Sequence, residues 1–327
     1  MPRSQLSWVL FAASLLLSSS ASAVTIDWVT VGGAGNAADT TGFGDVSETY
    51  RISKFEVTNA QYAEFLNAVA ADDSNGLYDT RMGSAALPNF GGINRSENAG
   101  SFTYSVVAGR GSMPVNWVDF YDSLRFANWL HNGQPTGGQD DTTTEHGAYT
   151  ITAQGIADNS ITRNAAATIF LPSENEWYKA AYYDTGSASY FDFPAGSNMQ
   201  TTCALPGTVS NTANCGSAVG DFTAVGSYTG SASPSGTFDQ GGNAWEWNEE
   251  TSTGGGGSVQ ERGLRGGSFN IRLPLSGLEA SDRSGFTEAT REENVVGFRI
   301  ASVPEPSTGL LVTSWLLLFA RCMVRRG

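Results

Sequence analysis

The sequence predicts one α+β domain with few helices and much loop. Three stretches with helical apolar spacing each begin at a capping residue, and short extended runs stand beside them. The remainder is long, polar and rich in glycine, serine and threonine, with no internal repeat.

The two ends read as export signals. Arg3, the apolar run Leu6 to Leu17 and Ala21-Ser22-Ala23 give a basic start, a hydrophobic segment of secretory length and a small-x-small cleavage site. At the other end Val303-Pro304-Glu305-Pro306-Ser307 precedes the apolar run Leu310 to Ala320 and the arginines Arg321, Arg325 and Arg326. The run is short for a span of about 20 residues, and the basic cluster acts as a cytoplasmic stop, so a single-pass transmembrane helix is one reading. The order Pro-Glu-Pro, apolar run, arginine cluster also resembles the PEP-CTERM sorting tail of Gram-negative bacteria, which implies cleavage by an exosortase. The expected organisation is a signal peptide over 1–23, a domain over 24–302 and a sorting or anchor tail over 303–327. The expected location is the cell envelope or extracellular matrix, reached through a transient inner-membrane anchor. Signal peptidase and exosortase are the expected partners of export.

Within the domain, Ile26 to Val31 alternates as a first strand, and Tyr50 to Val57 reads as a strand feeding a helix. Thr58 and Gln61 form a capping-box pair, with Tyr62, Phe65, Leu66 and Val69 on one helical face. Residues 72–110 are polar and irregular, and Met113 to Val118 is extended. Asp119 caps a second helix with Asp122 near its positive end, and Phe120, Leu124, Ala127 and Leu130 recur at helical spacing. After a turn-rich excursion over 134–163, Ile169 to Leu171 is a strand and Ser173 and Glu176 open a third helix. Tyr182 to Ser235 has little regularity, and a segment of that length needs an organiser, such as a disulfide or a bound ion. Val296 to Ala301 closes the domain as a strand.

Charge and cysteines narrow the function. The formal net charge is −14, and removing Arg3, Arg321, Arg325, Arg326 and Glu305 with the two ends deepens it to −17. Lys54 and Lys179 are the only lysines, and no basic stripe exists to neutralise phosphates, which argues against nucleic acid and for cations as partners. Cys203 and Cys215 lie in one loop-like region of an exported chain, so a disulfide is the default, with a metal or nucleophile role as the alternative. His131, His146 and Glu145 could make a two-histidine-one-carboxylate site, but their spacing puts them on no common face.

The most informative stretch is Asp239-Gln240-Gly241-Gly242-Asn243-Ala244-Trp245-Glu246-Trp247, followed by Arg265-Gly266-Gly267-Ser268-Phe269. Two glycines ahead of two tryptophans that flank one glutamate describe a tight turn delivering large rings to a core around a fixed carboxylate. A plain strand with both rings buried is the alternative.

In order, Val57 to Leu66, Pro114 to Leu130, Leu171 to Trp177, Gly242 to Trp247, Arg265 to Phe269 and Gly297-Phe298-Arg299 resemble the formylglycine-generating enzyme (sulfatase-modifying factor) family, over about Val29 to Ser302. The resemblance implies a loop-rich fold related to C-type lectins, with structural calcium. Carried onto this chain, the calcium ligands are the side chains of Asp239 and Glu246 with the carbonyls of Gly242 and Ala244. A second site would draw on Asn214, the carbonyl of Cys215 and Asp221, while the alternative for Glu246 is a salt bridge to Arg265 or Arg299. Arg265 and Arg299 are expected as buried partners of carbonyls or carboxylates.

The family's catalytic test fails here. Its oxidases hold copper(I) with two cysteines shortly after the Arg-Gly-Gly-Ser turn, and the matching positions are Ile271 and Ser276. No copper is therefore expected, formylglycine formation by that route is not expected, and no catalytic residue is assigned. The first expectation is a calcium-stabilised, non-catalytic binding module with an extracellular polysaccharide or protein ligand. The alternative is a non-haem iron or other metal-dependent oxidoreductase of the same superfamily.

Overall fold

The computed structural model describes residues 23–83, 90–96, 98–253, 260–271 and 276–303. The expected signal peptide as far as Ser22 and the expected tail from Pro304 lie outside the described residues. Among the described residues no helix is long and apolar enough to cross a membrane.

Strands β1 (Trp28–Val31) and β2 (Tyr50–Ser53) pair antiparallel with Val29 opposite Ile52. The chain then enters α1 (Asn59–Val69). Its capping box is formed: Thr58 Oγ1 accepts from the Gln61 amide, and Gln61 Oε1 accepts from the Thr58 amide at 2.9 Å. The stripe Tyr62, Phe65, Leu66 and Val69 is buried. A short ribbon, β3 (Ile93–Arg95) with β4 (Tyr104–Val106), sits inside the stretch expected to be irregular. Met113 to Val118 is not a strand, because Trp117 turns into the left-handed region at φ 58° and only Pro114 bridges to Thr58.

Helix α2 (Phe120–His131) starts at the Asp119–Asp122 capping box, and α4 (Glu174–Tyr182) at the Ser173–Glu176 box. Between them lie a short α3 (Ala153–Ala157), capped by Thr152 in the excursion expected to be turn-rich, and β5 (Ile169–Phe170). The loop after α4 is tied by two small ribbons, β6 (Tyr183–Asp184) with β7 (Ser189–Tyr190) and β8 (Thr202–Cys203) with β9 (Thr212–Ala213). The Cys203–Cys215 disulfide joins it with Cα atoms 4.8 Å apart.

The remaining strands are β10 (Trp245–Thr253), β11 (Gln260–Arg265), β12 (Phe286–Glu288), β13 (Val296–Phe298) and β14 (Ala301–Ser302). They complete two four-stranded sheets, ordered β1-β2-β14-β5 and β12-β11-β10-β13. The single strand expected over Val296 to Ala301 is thus divided. Phe298 pairs in parallel with Trp247, whereas Ala301 pairs with Ile52 and Phe170 in the other sheet. The division falls at Arg299, whose fully buried guanidinium donates to the carbonyls of Ser53 and Phe238 and so needs the backbone to leave one ladder and enter the next.

The core lies where α1 and α2 meet the last strands. Tyr62 stacks on Phe126 at 6.0 Å, Phe65 meets Trp129 at 5.2 Å, and Phe126 meets Phe298 edge-on at 5.4 Å. Such contacts add about 0.5–1.5 kcal/mol each beyond area burial, enough to fix how the helices sit on the sheet. This packing holds the turn before β10 in place.

Candidate functional site

The turn is built from backbone that L side chains rarely adopt. Asp239 and Asn243 have φ 61°, and Gly242 has φ 97°. A Cβ at Gly242 would lie 2.4 Å from the Asn214 carbonyl oxygen, so only glycine fits. Beyond the turn, Trp247 is buried and its indole donates to the Val118 carbonyl at 3.1 Å, while Trp245 remains half-buried.

Below the turn is a hub of buried charge. Both oxygens of Glu246 accept from Arg299, through Nε at 2.5 Å and Nη2 at 2.7 Å, and Oε2 also accepts from Trp177 Nε1 at 2.7 Å. The salt-bridge partner of Glu246 is therefore Arg299. Arg265 turns instead to the Glu174 carboxylate and to the carbonyls of Ala280 and Asp282. A third acid belongs to the hub that the motifs did not single out. Glu56 accepts from the Ala244 amide at 3.1 Å and from Asn243 Nδ2 at 2.8 Å. Its signal in the sequence was a carboxylate between Phe55 and Val57, immediately before a helix cap, where no solvent-facing residue is needed.

The hub holds Glu56, Asp239 and Glu246 against the single guanidinium of Arg299. Burial first, then the charges of Asp239 and Glu246, pushes Glu56 well above the usual carboxylate range. Burial likewise pushes Asp239 up to about 6, although the Gly226 amide, 2.6 Å from Oδ2, and Arg299 pull it down. An excess of desolvated carboxylate is the donor chemistry that a hard divalent cation satisfies. Asp239 and the carbonyls of Gly242 and Ala244 are oxygen donors of the type calcium takes, but both Glu246 oxygens are already held by Arg299, and among the described residues no three His, Cys, Asp or Glu side chains are grouped to hold a metal ion.

The second expected set fits less well. Asn214 Oδ1 is buried with no hydrogen-bond partner among the described residues, as a ligand oxygen would be. Asp221, however, gives both carboxylate oxygens to Arg110, at 2.8 and 3.0 Å, and the Cys215 carbonyl accepts from the Ala218 amide at 3.0 Å. A guanidinium already neutralises the acid that a second cation would need.

Ile271 is partly buried against Phe193, Ala213, Cys215 and Leu278; Ser276 opens a 3-10 turn over Ser276–Leu278. The histidines lie near each other: burial, then His146, lowers the pKa of His131, whose Nδ1 is 2.7 Å from Thr168 Oγ1. Glu145 does not join them, since Arg125 Nε and Nη2 hold its carboxylate at 2.8 and 3.2 Å. Finally, an open cleft of about 360 Å³ runs along β10 and the start of α4, lined by Phe43, Ser173, Glu174, Asn175, Glu249 and Glu250 among others. Arg283 reaches it, bonding Glu174 at 2.6 Å and stacking 4.2 Å from the Phe43 ring.

Comparison with solved structures places the fold. The chain superposes on the crystal structure of CarF with TM-score 0.54 at 20% identity, covering 86% of this chain and 99% of that one. It matches Treponema denticola variable protein 1 with TM-score 0.50 at 18% identity, over 85% and 95% of the two chains. For PvdO from Pseudomonas aeruginosa the values are 0.45 and 18%, over 85% and 92%. At such identities the likeness shows the fold alone, which is that of formylglycine-generating enzymes and C-type lectins. No curated protein matches the chain in sequence. The sulfatase-modifying factor enzyme 1-like domain matches over residues 36–303, from the loop after β1 to the residue after β14, and the chain belongs to that family.

Proposed function

We propose that this protein is an exported, envelope- or matrix-associated binding module on the formylglycine-generating-enzyme fold, stabilised by calcium and without copper oxidase chemistry. The observation that carries the reading is Ile271. At the position of a copper-binding thiolate it offers an aliphatic side chain packed against Phe193 and Leu278, and the two cysteines ahead of it in the domain, Cys203 and Cys215, are joined to each other. Neither a hydrocarbon nor a disulfide sulfur supplies the thiolate that copper(I) needs. Arg110 on Asp221 supports one calcium rather than two.

Calcium, when bound, would supply positive charge beside Asp239, whose carboxylate accepts from the Gly226 amide. The chain's own residues do the rest: Gly242 lets the turn approach Asn214, Arg299 fixes Glu246, and Asn243 holds Glu56. The mixed-charge cleft beside Phe43, Glu250 and Arg283 is the surface offered to a polysaccharide or protein ligand.

Elemental mass spectrometry of the chain purified without chelators tests this reading. About one calcium per chain is the expected result. Thermal unfolding should then rise with added calcium, by about 2.7 kcal/mol at 100 times Kd, and Asp239→Asn should lose that response. Stoichiometric copper or iron would overturn the non-catalytic reading, and an unchanged calcium response in Asp239→Asn would overturn the ligand set.

A further inference from the structure

Residues 193–220 contain no charged side chain in a protein of net charge −14, and Asp192 and Asp221 mark the two ends of this neutral stretch. Within it, Met199, Leu205 and Val209 are 77%, 69% and 66% exposed, the three most exposed large hydrophobic side chains among the described residues. Single exposed aliphatics are ordinary on a protein surface, but three within eleven residues of one loop are a concentration that asks for an occupant.

The loop is held in shape. The Cys203–Cys215 disulfide closes it, β8 pairs in parallel with β9, and Gly207 bridges Tyr228. Its backbone acceptors are also turned inward. The Met199 and Gln200 carbonyls accept from Asn211 Nδ2 at 2.9 and 3.2 Å, and the Ala204 carbonyl accepts from the Tyr228 hydroxyl at 2.8 Å. The Val209 carbonyl accepts from the hydroxyls of Thr212 and Ser231 at 2.8 and 3.2 Å, and that of Asn211 from the Thr202 amide at 2.9 Å. In water such acceptors need no protein donor. In hydrocarbon each one left open is costly, so internal pairing is what a loop entering a low-dielectric phase requires.

We propose that Met199, Leu205 and Val209 are a membrane-contact tip that seats in the headgroup and upper acyl region of an electrically neutral lipid bilayer. Charge selects that partner. A stretch with no charge of its own, carried on an acidic chain, gains nothing from anionic lipid, whereas a zwitterionic surface accepts aliphatic side chains without a countercharge. A second copy of the chain is the weaker occupant: each copy carries the same negative charge, and three aliphatic side chains a side fall short of a standard interface. A bilayer needs no complementary shape. The proposal is independent of the calcium reading.

The test uses the full chain and phosphatidylcholine vesicles. Leu205→Trp places a fluorophore at the tip, and Glu64→Trp places one on the exposed side of α1. Any lipid affinity of the apolar run Leu310 to Ala320 is common to both variants, so their difference reports the loop. With lipids brominated in the upper acyl chain, the added emission of Leu205→Trp should shift to the blue and fall by roughly half, while that of Glu64→Trp stays unchanged. No quenching at Leu205→Trp, or equal quenching at both positions, overturns the proposal. Sedimentation without lipid gives the competing outcome: a dimer that Leu205→Glu/Val209→Glu dissociates would assign the tip to a second copy and overturn it as well.

Discussion

Arg299 Nη2 lies 2.7 Å from Glu246 Oε1, and both side chains are wholly enclosed. Removing either partner leaves a buried charge unpaired. Arg299→Met and Glu246→Gln should each cost about 3–5 kcal/mol in urea unfolding, while the double variant should cost clearly less than their sum. Additive costs would mean that the two residues act separately and that the hub is not a unit.

Gly242→Ala should be among the most damaging glycine substitutions in the chain. It combines φ 97° with a Cβ 2.4 Å from the Asn214 carbonyl. Gly220 offers the control, having φ 84° with nothing within 4 Å. Gly220→Ala should cost about 1 kcal/mol, the strain alone, and Gly242→Ala at least about 2 kcal/mol more. Equal midpoints in a denaturant series would remove the close approach from the account of the turn.

Glu292 and Asp79 share Arg81, whose Nη2 lies 2.6 Å from an oxygen of each, above the Trp117 ring at 4.1 Å. Burial, then the hydrogen bond and charge of Asp79, pushes Glu292 up from 4.5 to about 8. Because the folded pKa is raised, the folded protein holds a proton that the unfolded chain releases. The stabilising contribution is complete below about 4.5 and is lost as pH rises through about 8. Unfolding midpoints followed across this window should fall for the wild type, and Glu292→Gln should flatten the slope. A slope unaltered by the substitution would place its origin elsewhere.

Breaking the disulfide should act locally and on the unfolded chain. Cys203 and Cys215 are 12 apart in sequence, a closed loop whose constraint is worth about 3 kcal/mol in the chain-entropy account. Cys203→Ser/Cys215→Ser should lose about that much and speed amide exchange over 199–215, leaving α1 and α2 protected. Loss of protection in the helices would show that the loop is part of the core.

Where local chemistry decides structure, the sequence could be read closely. The capping boxes at Thr58, Asp119 and Ser173 open helices where expected, because a side chain three residues from its partner needs no tertiary context. Trp117 is the opposite case. Its extended reading failed because left-handed backbone there is held by distant contacts, including its amide bonding the Glu293 carbonyl at 3.1 Å. The division of the last strand at Arg299 and the arrival of Glu56 under the turn also depend on pairings 246 and 187 residues apart. Periodicity carries no record of such partners. The Asp239 to Glu246 turn was visible as a motif, but Arg299 as the partner of Glu246 was one of two options until the sheets placed it.

The passage of one chain segment through both sheets has a consequence for the order of assembly. β14 lies between β2 and β5, and Arg51 Nε meets Ser302 Oγ across 251 residues of sequence. The first sheet therefore stays open, and the Glu246 carboxylate unmatched, until nearly the whole domain has been made. A nascent chain emerging from the ribosome has no native partner for β2 on that side, which disfavours early closure and keeps the polypeptide threadable. Completion at the very end of synthesis would suit the export proposed above, since a chain still open in its first sheet can be moved before it folds.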